Sequence, residues 1–453
     1  MPSSYARFTR ASIPRHVTVM AGSSAVSLFA VFLVDIFTLV YVSMLHQPVL
    51  LAAVGIAKVL IFFNGALANG LIIAAASVLS ERIGHRARQT VPHLTACLML
   101  MVVAVSGLCA AVQLALVAPI THWLGAQDEV YEAARRFIWL TLPFTVAQAA
   151  MQMAAQMLRS AGDSRRAFWV VLSGAATLAA ADPLLIFELG LGLDGAGIAY
   201  ALSALVSAGL GIYWVRQHIG LATAVSLKRL RLYGLRIARV ALPATLANMA
   251  TPVGVAYLVS TVSVYGTSAL AAMAVLDRVM QFSFCAFFAL PSALAPVLGQ
   301  NIGAQQPLRV QAAIVFTRRL VIAYGLGVWA VLLASCAMIA DFYGLEGEGR
   351  ELFLVFCRVG AGLWVIIGLD FVAIAVFVTM QRAWLVAVFA WLRATLGTLP
   401  FVYVGTHSFG SSGAMPGMFL GNALIAVMST VTATVVARRF LSGRAQPGSA
   451  GIS

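Results

Sequence analysis

The chain has 453 residues, of which 61% are hydrophobic and only 10% are charged. Soluble domains carry roughly 25% charged residues, so this composition excludes an ordinary soluble protein. The formal net charge of +14 would suit a nucleic-acid partner. However, the basic residues cluster at the ends of apolar segments, which argues against nucleic-acid binding.

Twelve apolar stretches predict twelve transmembrane helices. Nearly every stretch reaches the ~20 residues that a helix needs to cross the hydrocarbon layer. The segments are helical because backbone polar groups in lipid must be satisfied internally. We place them at 17–45, 50–79, 91–121, 136–158, 166–190, 195–216, 240–264, 268–298, 312–340, 351–380, 384–406 and 413–437. The first stretch is too long for the core of a signal peptide, so we expect it to remain as a span.

An internal repeat divides the twelve stretches into two sets of six. Leu79–Gly84 (LSERIG) recurs 219 residues later as Leu298–Gly303 (LGQNIG), and each copy follows the second stretch of its half. A duplicated six-span unit is typical of secondary transporters. The pattern therefore predicts an N-terminal six-helix lobe (1–216), a basic linker (217–239), a C-terminal six-helix lobe (240–437) and a tail (438–453).

The distribution of Lys and Arg predicts the orientation of these spans. Most basic residues lie in one set of segments: 7–15, 82–88, 159–166, 216–239, 309–319, 382 and 438–444. Because basic segments stay on the cytoplasmic side, both termini are predicted to be cytoplasmic, in the inner (plasma) membrane. The linker 217–239 is predicted to form an amphipathic helix along anionic lipid headgroups.

The sequence offers no catalytic or cofactor-binding pattern. The five cysteines lie in or beside apolar spans without metal-ligand spacing, and the scattered histidines pair with no Ser or Cys at a recognisable spacing. A phosphate-binding GxxxxGK[ST] loop is absent, so ATP is not the direct energy source. We therefore expect a transporter without cofactor or metal, rather than an enzyme.

Four segments together carry a family resemblance. Leu158–Arg165 (LRSAGDSR) resembles the LR-x-x-G-D-x-R turn of multidrug and toxic compound extrusion (MATE) transporters, and Asp182–Phe187 (DPLLIF) is similar to their DPLFIF motif. Leu191–Ala199 (LGLDGAGIA) is close to their GLG-x-x-GAAIA motif. The segment from Pro291 to Ala304, which ends in GQNIGA, matches their P…GQNxGA signature. The resemblance extends over essentially the whole chain.

The resemblance implies the MATE fold, an all-α membrane protein with two pseudo-symmetric six-helix lobes. It further implies export of organic cations and drugs in exchange for H+, or Na+, and an acidic residue in the first span resembles the DinF-like branch. We expect a monomer whose partners are small organic cations and membrane lipids.

Three other functions remain open at this stage. One is an exporter or flippase of a dedicated metabolite or lipid-linked precursor, because a fold does not fix a substrate. A second is a membrane channel or structural protein. A third is a major facilitator carrier, because Glu81–Arg86 (ERIGHR) is similar to the D-R-x-G-R-R loop of that family.

Ionisable residues within the predicted spans are the first candidates for ion coupling, because each costs roughly 2.5–3.5 kcal/mol on insertion scales. Asp35 lies in span 1, Asp182 in span 5 and Asp370 in span 10. Burial in a medium of low dielectric constant favours the protonated form of a carboxyl group, which suits a group that binds and releases a proton. Pro183 after Asp182 removes a backbone donor from the helix.

The chain departs from the family pattern at several coupling positions. Leu178 stands where relatives often carry Asn, Tyr200 replaces a Thr of span 6, and Met20 lies near the place of a span 1 proline. Span 7 contains no carboxylate that would complete a sodium site with Asp370. A ligand set taken whole from a relative therefore does not fit.

A second group of residues offers hydrogen-bonding groups to a substrate cavity. These candidates are Asn64, Asn69, Gln148, Gln152, Tyr200 and Asn248. The aromatic run Phe282–Phe288 offers surface for flat cations. Lys58, Arg278 and Arg393 are basic residues within spans whose partners the sequence does not identify.

Overall fold

The computed structural model describes residues 7–45, 47–85, 89–124, 128–223 and 226–445. Arg86 and Arg88, which contribute to the predicted orientation, lie outside the described residues. The same holds for the side chain of Arg444 and for residues 446–453 of the predicted tail.

The described part of the chain has only helices as regular secondary structure. Its α-helices are α1 (Ile13–Ser43), α2 (Pro48–Gly84), α3 (Val91–Ala115), α4 (Val117–Trp123), α5 (Asp128–Thr141), α6 (Thr145–Ser160), α7 (Ser164–Pro183), α8 (Gly192–His218), α9 (Leu227–Val262), α10 (Thr267–Ser283), α11 (Cys285–Gly303), α12 (Pro307–Phe342), α13 (Gly347–Val355), α14 (Ala361–Thr379), α15 (Trp384–Ala394), α16 (Leu399–Phe409) and α17 (Ser411–Ala445). Among the described residues, twelve helical segments are long and apolar enough to cross a membrane. The predicted all-α, twelve-span architecture is confirmed, and the chain is a multi-pass membrane protein.

Several spans are interrupted where the apolar pattern predicts one continuous helix. Span 4 has a 3-10 turn at Leu142–Phe144 between α5 and α6, and span 8 breaks at Phe284 between α10 and α11. Span 11 is interrupted at 395–398, between α15 and α16. A π-turn follows α7 at Leu184–Glu188, and another precedes α14 at Phe356–Gly360. The surrounding stretches stay apolar on both sides of each break, so the apolar pattern alone predicts continuous helices.

The described chain forms two compact units. Unit 1 comprises Arg7 and Val26–Ala241, and unit 2 comprises Phe8–Ala25 and the residues from Leu242 onward. The division falls inside α1 and inside α9. The first half of α1 therefore belongs to the unit that contains spans 7 to 12, whereas the start of α9 belongs to the unit that contains spans 2 to 6.

The segment that leads into span 7 packs on unit 1. The Thr95 hydroxyl of α3 donates to the carbonyl of Gly220 at 2.7 Å, and Arg236 Nη2 lies 3.2 Å from Glu81 Oε2 at the end of α2. Ile237 is fully buried. Residues 227–239 of the predicted linker form the start of α9 rather than a separate helix.

The segment that leads into span 1 is held in unit 2 by the second copy of the repeated motif. The backbone N–H of Phe8 donates to Gln300 Oε1 at 3.0 Å, and Asn301 Nδ2 donates to the carbonyl of Phe8 at 3.2 Å. Arg309 Nη2 donates to the carbonyls of Phe8 and Ala11 at 3.0 and 2.9 Å. Gln300 and Asn301 are fully buried, and these bonds satisfy polar groups that burial would otherwise leave without partners.

The two copies of the repeated motif thus have the same structural role. Glu81 and Gln300 occupy equivalent positions of the repeat, and each binds the segment that precedes the first span of the other half. A charged carboxylate binds an arginine in one copy, and a neutral amide binds backbone in the other. The repeat is therefore conserved in role within the chain although its side chains differ.

In unit 2, α16 and α17 pack at backbone distance. A Cβ atom added at Gly417 would lie 2.3 Å from the carbonyl oxygen of Phe401, and one at Gly421 would lie 2.1 Å from that of Gly397. Small residues at such positions let two membrane helices approach closely. The absence of side chains at Gly417 and Gly421 is what permits this contact.

Gly417→Ala is expected to destabilise the protein by about 1–3 kcal/mol, because the added methyl group overlaps a backbone carbonyl that has no room to move. Gly327→Ala is the matched control, since a Cβ atom there meets no atom within 4 Å. Thermal unfolding in detergent measures both variants. Equal midpoints for the two would contradict the proposed role of the close helix contact.

Candidate functional site

In unit 1, Asp35 and Thr38 lie one turn apart on α1. Side chains three residues apart share a helix face, so both point toward the same neighbours. The Thr38 hydroxyl donates to Asp182 Oδ2, which lies on α7. This bond places the part of α1 that carries Asp35 and Thr38 against α7.

Asp182 lies at the end of α7, where the helix changes its hydrogen-bonding pattern. Pro183 lacks the N–H that would bond the carbonyl of Ala179, and the chain continues as the π-turn Leu184–Glu188. Asp182 is fully buried, and its Oδ1 atom has no hydrogen-bond partner among the described residues. Isolated π-turns in helices often mark functional sites.

The glycines of the LGLDGAGIA segment bring α8 onto this π-turn. A Cβ atom at Gly195 would lie 2.7 Å from the backbone carbonyl of Leu185, so only glycine fits there. Gly192 has φ +55°, a conformation that glycine adopts without strain. This close approach of α8 positions Tyr200, about one and a half turns further along, near Asp35.

Asp35, Asp182 and Tyr200 form one electrostatic group. Asp35 is close enough to interact with both the Asp182 carboxylate and the Tyr200 hydroxyl. Asp35 is exposed, whereas Asp182 is completely buried. Two neighbouring carboxylates repel each other when both are charged, so a proton or a cation bound between them lowers the electrostatic energy. We define Asp35, Thr38, Asp182 and Tyr200 as the acidic site.

Asp370, the third predicted coupling residue, lies in unit 2 and has a different environment. Arg393 Nη1 of α15 lies 2.7 Å from Asp370 Oδ2 of α14, and the side chains are 20% and 2% exposed. Arg393 is the partner that the sequence did not identify. The guanidinium neutralises the carboxylate, and a membrane-embedded acid without such a partner would be costly.

The Asp370–Arg393 pair lies beside the interruption of span 11. α15 ends at Ala394, one residue after Arg393, and α16 begins at Leu399. Thr398 Oγ1 donates to the carbonyl of Arg393 at 2.8 Å and lies 3.5 Å from Asn422 Oδ1 of α17. A cation at the end of α15 also interacts favourably with the helix dipole.

Among the predicted cavity residues, Asn64 has a structural role in unit 1. Its Nδ2 donates to the carbonyl of Ser106 at 3.0 Å, and the Ser106 hydroxyl donates to Asn64 Oδ1 at 2.6 Å. With both ends of its amide bonded to α3, Asn64 joins two helices and is 1% exposed. The remaining candidates are half-buried: Asn69, Gln148, Gln152, Tyr200 and Asn248.

The aromatic run Phe282–Phe288 belongs mostly to the core of unit 2. Phe284 and Phe287 are buried, and their rings stack with centroids 5.4 Å apart. Phe288 is 37% exposed and its ring lies 5.4 Å from that of Phe371. One edge of the run is thus available to a ligand, while the rest packs inside the unit.

Two further basic residues lie within the spans. Lys58 and Arg278 are half-buried. Arg278 Nη1 donates to Gln281 Oε1 at 3.5 Å, and Gln281 donates to Asp277 at 2.6 Å. These contacts connect neighbouring turns of α10, so Arg278 takes part in a local network within its own helix.

Comparison with known proteins places this geometry in a family context. The model of the MatE family matches residues 23–184 and 243–404, which is well over half of the chain and covers the two halves at equivalent positions. An uncharacterized 21 kDa protein of Pseudomonas savastanoi is 40% identical over 243 residues, which cover 53% of this chain and 79% of that protein.

Two further relatives are more distant. An FAD transporter of Shewanella oneidensis is 25% identical over 278 residues, covering 60% of this chain and 62% of that protein. Among solved structures, a Vibrio cholerae MATE transporter, VcmN, superposes with a TM-score of 0.90 at 19% identity. That match covers 96% of this chain and 99% of the other, and it supports the fold alone.

Thr38→Val is expected to destabilise the protein by about 1–3 kcal/mol, because it removes the hydroxyl that donates to the fully buried Asp182. The donor stabilises the charged carboxylate. Thermal unfolding in detergent measures the loss.

Thr177→Val provides the matched control for Thr38→Val. Thr177 also lies in unit 1 and donates to a backbone carbonyl, that of Ser173, at 2.7 Å. Its replacement removes a hydroxyl without leaving a carboxylate unsupported, so its effect should be smaller. Equal destabilisation by both variants would contradict a specific bond between Thr38 and Asp182.

Proposed function

Because the chain belongs to the MatE family, whose members are membrane transporters and not enzymes, we propose that it exports small organic molecules in exchange for protons. Family membership removes the major facilitator alternative. The proposal rests on the acidic site of unit 1, in which Asp35 is exposed and Asp182 is buried behind it. An exposed acid next to a buried one provides a place where a proton can enter and be held.

Protons are the proposed coupling ion because the two acidic regions differ in their counter-charges. Asp182 accepts a bond from a neutral hydroxyl, and its Oδ1 atom has no partner among the described residues. Asp370 already faces the guanidinium of Arg393. A sodium ion at Asp370 would compete with that arginine, whereas Asp182 Oδ1 offers an oxygen to which a proton can bind.

Organic cations are the first proposed cargo. A positively charged molecule is attracted by the two carboxylates of the acidic site, and protonation of Asp35 removes part of that attraction. Since a ligand shifts a conformational equilibrium only by its differential affinity for the states, proton and cargo must compete for free energy at this site. Protonation of Asp35 would thus promote release of the cation.

The proposal includes the membrane location. We place the protein in the inner (plasma) membrane as a monomer. Both termini are proposed to be cytoplasmic, because Lys and Arg concentrate in the segments on the same side as the termini. No cofactor takes part, since the gradient of the coupling ion supplies the energy.

A second candidate is the export of a dedicated metabolite. The Shewanella oneidensis relative is an FAD transporter, and Arg393 offers a positive charge in unit 2 that a purely cationic cargo does not require. A flavin nucleotide, with its flat ring and negative phosphates, is the specific alternative to an organic cation.

Export of ethidium by the purified full chain in vesicles tests the proposed proton coupling. A pH gradient alone is expected to drive transport by the wild type. Asp35→Asn should reduce transport to the rate of protein-free vesicles, because an amide cannot bind and release the proton. Glu132→Gln is the matched control, since Glu132 is an exposed acid of unit 1 that is remote in the sequence from the acidic site.

The outcomes separate the alternatives. Transport that is driven by a sodium gradient alone and is unaffected by Asp35→Asn would reject the acidic site as the coupling site. Loss of transport in both Asp35→Asn and Glu132→Gln would indicate that any lost acid impairs the protein. Transport of flavin nucleotide instead of ethidium would assign the chain to the second candidate.

A further inference from the structure

We propose that unit 2 binds the negatively charged group of a cargo, a carboxylate or a phosphate, through the guanidinium of Arg393, which Asp370 holds in place. This inference rests on the proposed transport function and specifies the chemistry of its cargo. It adds, within unit 2, a site whose charge is opposite to that of the acidic site. A zwitterionic or anionic molecule would use Arg393, whereas a simple cation would not.

The depth of the pair supports a binding role. Asp370 lies nine residues before the end of α14, and Arg393 lies nine residues after the start of α15. At about 1.5 Å per residue, each lies about 14 Å from its helix end. Half of a hydrocarbon layer about 30 Å thick is about 15 Å, so both residues lie well inside their spans, the region where secondary transporters bind cargo and ions.

Accessibility distinguishes the two partners. The Arg393 side chain is 20% exposed, whereas that of Asp370 is only 2% exposed. A ligand that approaches the pair therefore meets the guanidinium, with the carboxylate behind it. This order favours a negatively charged or electron-rich ligand group and disfavours a cation at Asp370.

The hydrogen-bonding capacity of the pair is incompletely used. A guanidinium has five N–H donors. Among the described residues, the Arg393 side chain contacts Asp370. Neither carboxylate oxygen of Asp370 has a hydrogen-bond partner in the same part of the chain, although Arg393 Nη1 forms an ion pair with Oδ2. Partly satisfied charged groups at this depth are costly, and a ligand that accepts from Arg393 reduces that cost.

The interruption of span 11 gives the pair its position. Because α15 ends directly after Arg393, the side chain projects from a helix end rather than from the middle of a continuous helix. Broken helices at the membrane midplane frequently form the binding sites of secondary transporters. A purely structural ion pair would not require the helix to end there.

Flavin mononucleotide and riboflavin test this proposal, because they share one fluorescent ring and differ by a phosphate. Their dissociation constants are measured by flavin fluorescence with the full chain in phosphatidylcholine nanodiscs. The wild type should bind flavin mononucleotide at least about tenfold more tightly than riboflavin, as expected for charge-assisted hydrogen bonds to a half-buried arginine.

Two variants should shift this preference in opposite directions. Asp370→Asn removes the carboxylate that competes for the guanidinium, so flavin mononucleotide should bind more tightly. The double variant Asp370→Asn/Arg393→Gln differs from it only by the loss of the arginine and leaves no buried charge without a partner. It should bind flavin mononucleotide about 10- to 100-fold more weakly than Asp370→Asn does, with riboflavin unchanged.

Several outcomes would overturn the assignment. One is that the wild type binds the two flavins with equal affinity or binds neither of them. Another is an equal loss of affinity for both flavins in the double variant, which would indicate a structural role. Displacement of flavin mononucleotide by added phosphatidylglycerol would assign the site to a lipid headgroup. If ethidium export still depends on Asp35 in any of these cases, the transport proposal survives and the anion site alone is rejected.

Discussion

A carboxylate inside the hydrocarbon layer must be neutralised, and the two units of this protein meet that requirement in different ways. In unit 1, the Thr38 hydroxyl donates to Asp182, and a second acid, Asp35, interacts with the same carboxylate. In unit 2, Asp370 faces the permanent positive charge of Arg393, which is built into the chain. The roles that we propose follow this difference: ion exchange in the first unit and polar recognition of cargo in the second.

Asp182 and Arg393 each lie next to a helix interruption. Pro183 and the π-turn follow Asp182 directly, and the break of span 11 follows Arg393. Each interruption leaves backbone groups without regular helical partners, which membrane proteins tolerate only where protein or a polar site surrounds them. In both units an ionisable side chain and a helix interruption therefore occur together. Gly195 allows the neighbouring helix to cover the interruption in unit 1.

The sequence was sufficient for the spans, the repeat and the family, because each depends on patterns that extend along the chain. Asp35 and Asp182 could be identified because an acid in an apolar stretch is conspicuous. Thr38 was missed, although its position three residues after Asp35 is the available signal. The pairing of Asp370 with Arg393 was open, because contact between spans 10 and 11 depends on tertiary packing that no local pattern records. Asn64 was assigned to a cavity because an amide that joins two helices has the same local sequence as one that binds a ligand.

Each unit binds the segment that precedes the first span of the other half. This arrangement also determines the order in which the protein can assemble. Phe8 is held by Gln300, which follows it by 292 positions. At 5–20 residues per second, the ribosome needs roughly 15–60 s to supply that partner. The segment before span 7, in contrast, finds Glu81 and Thr95 already synthesised. The segment before span 1 therefore lacks these contacts until the second copy of the repeated motif has been synthesised, whereas the segment before span 7 can form its contacts at once.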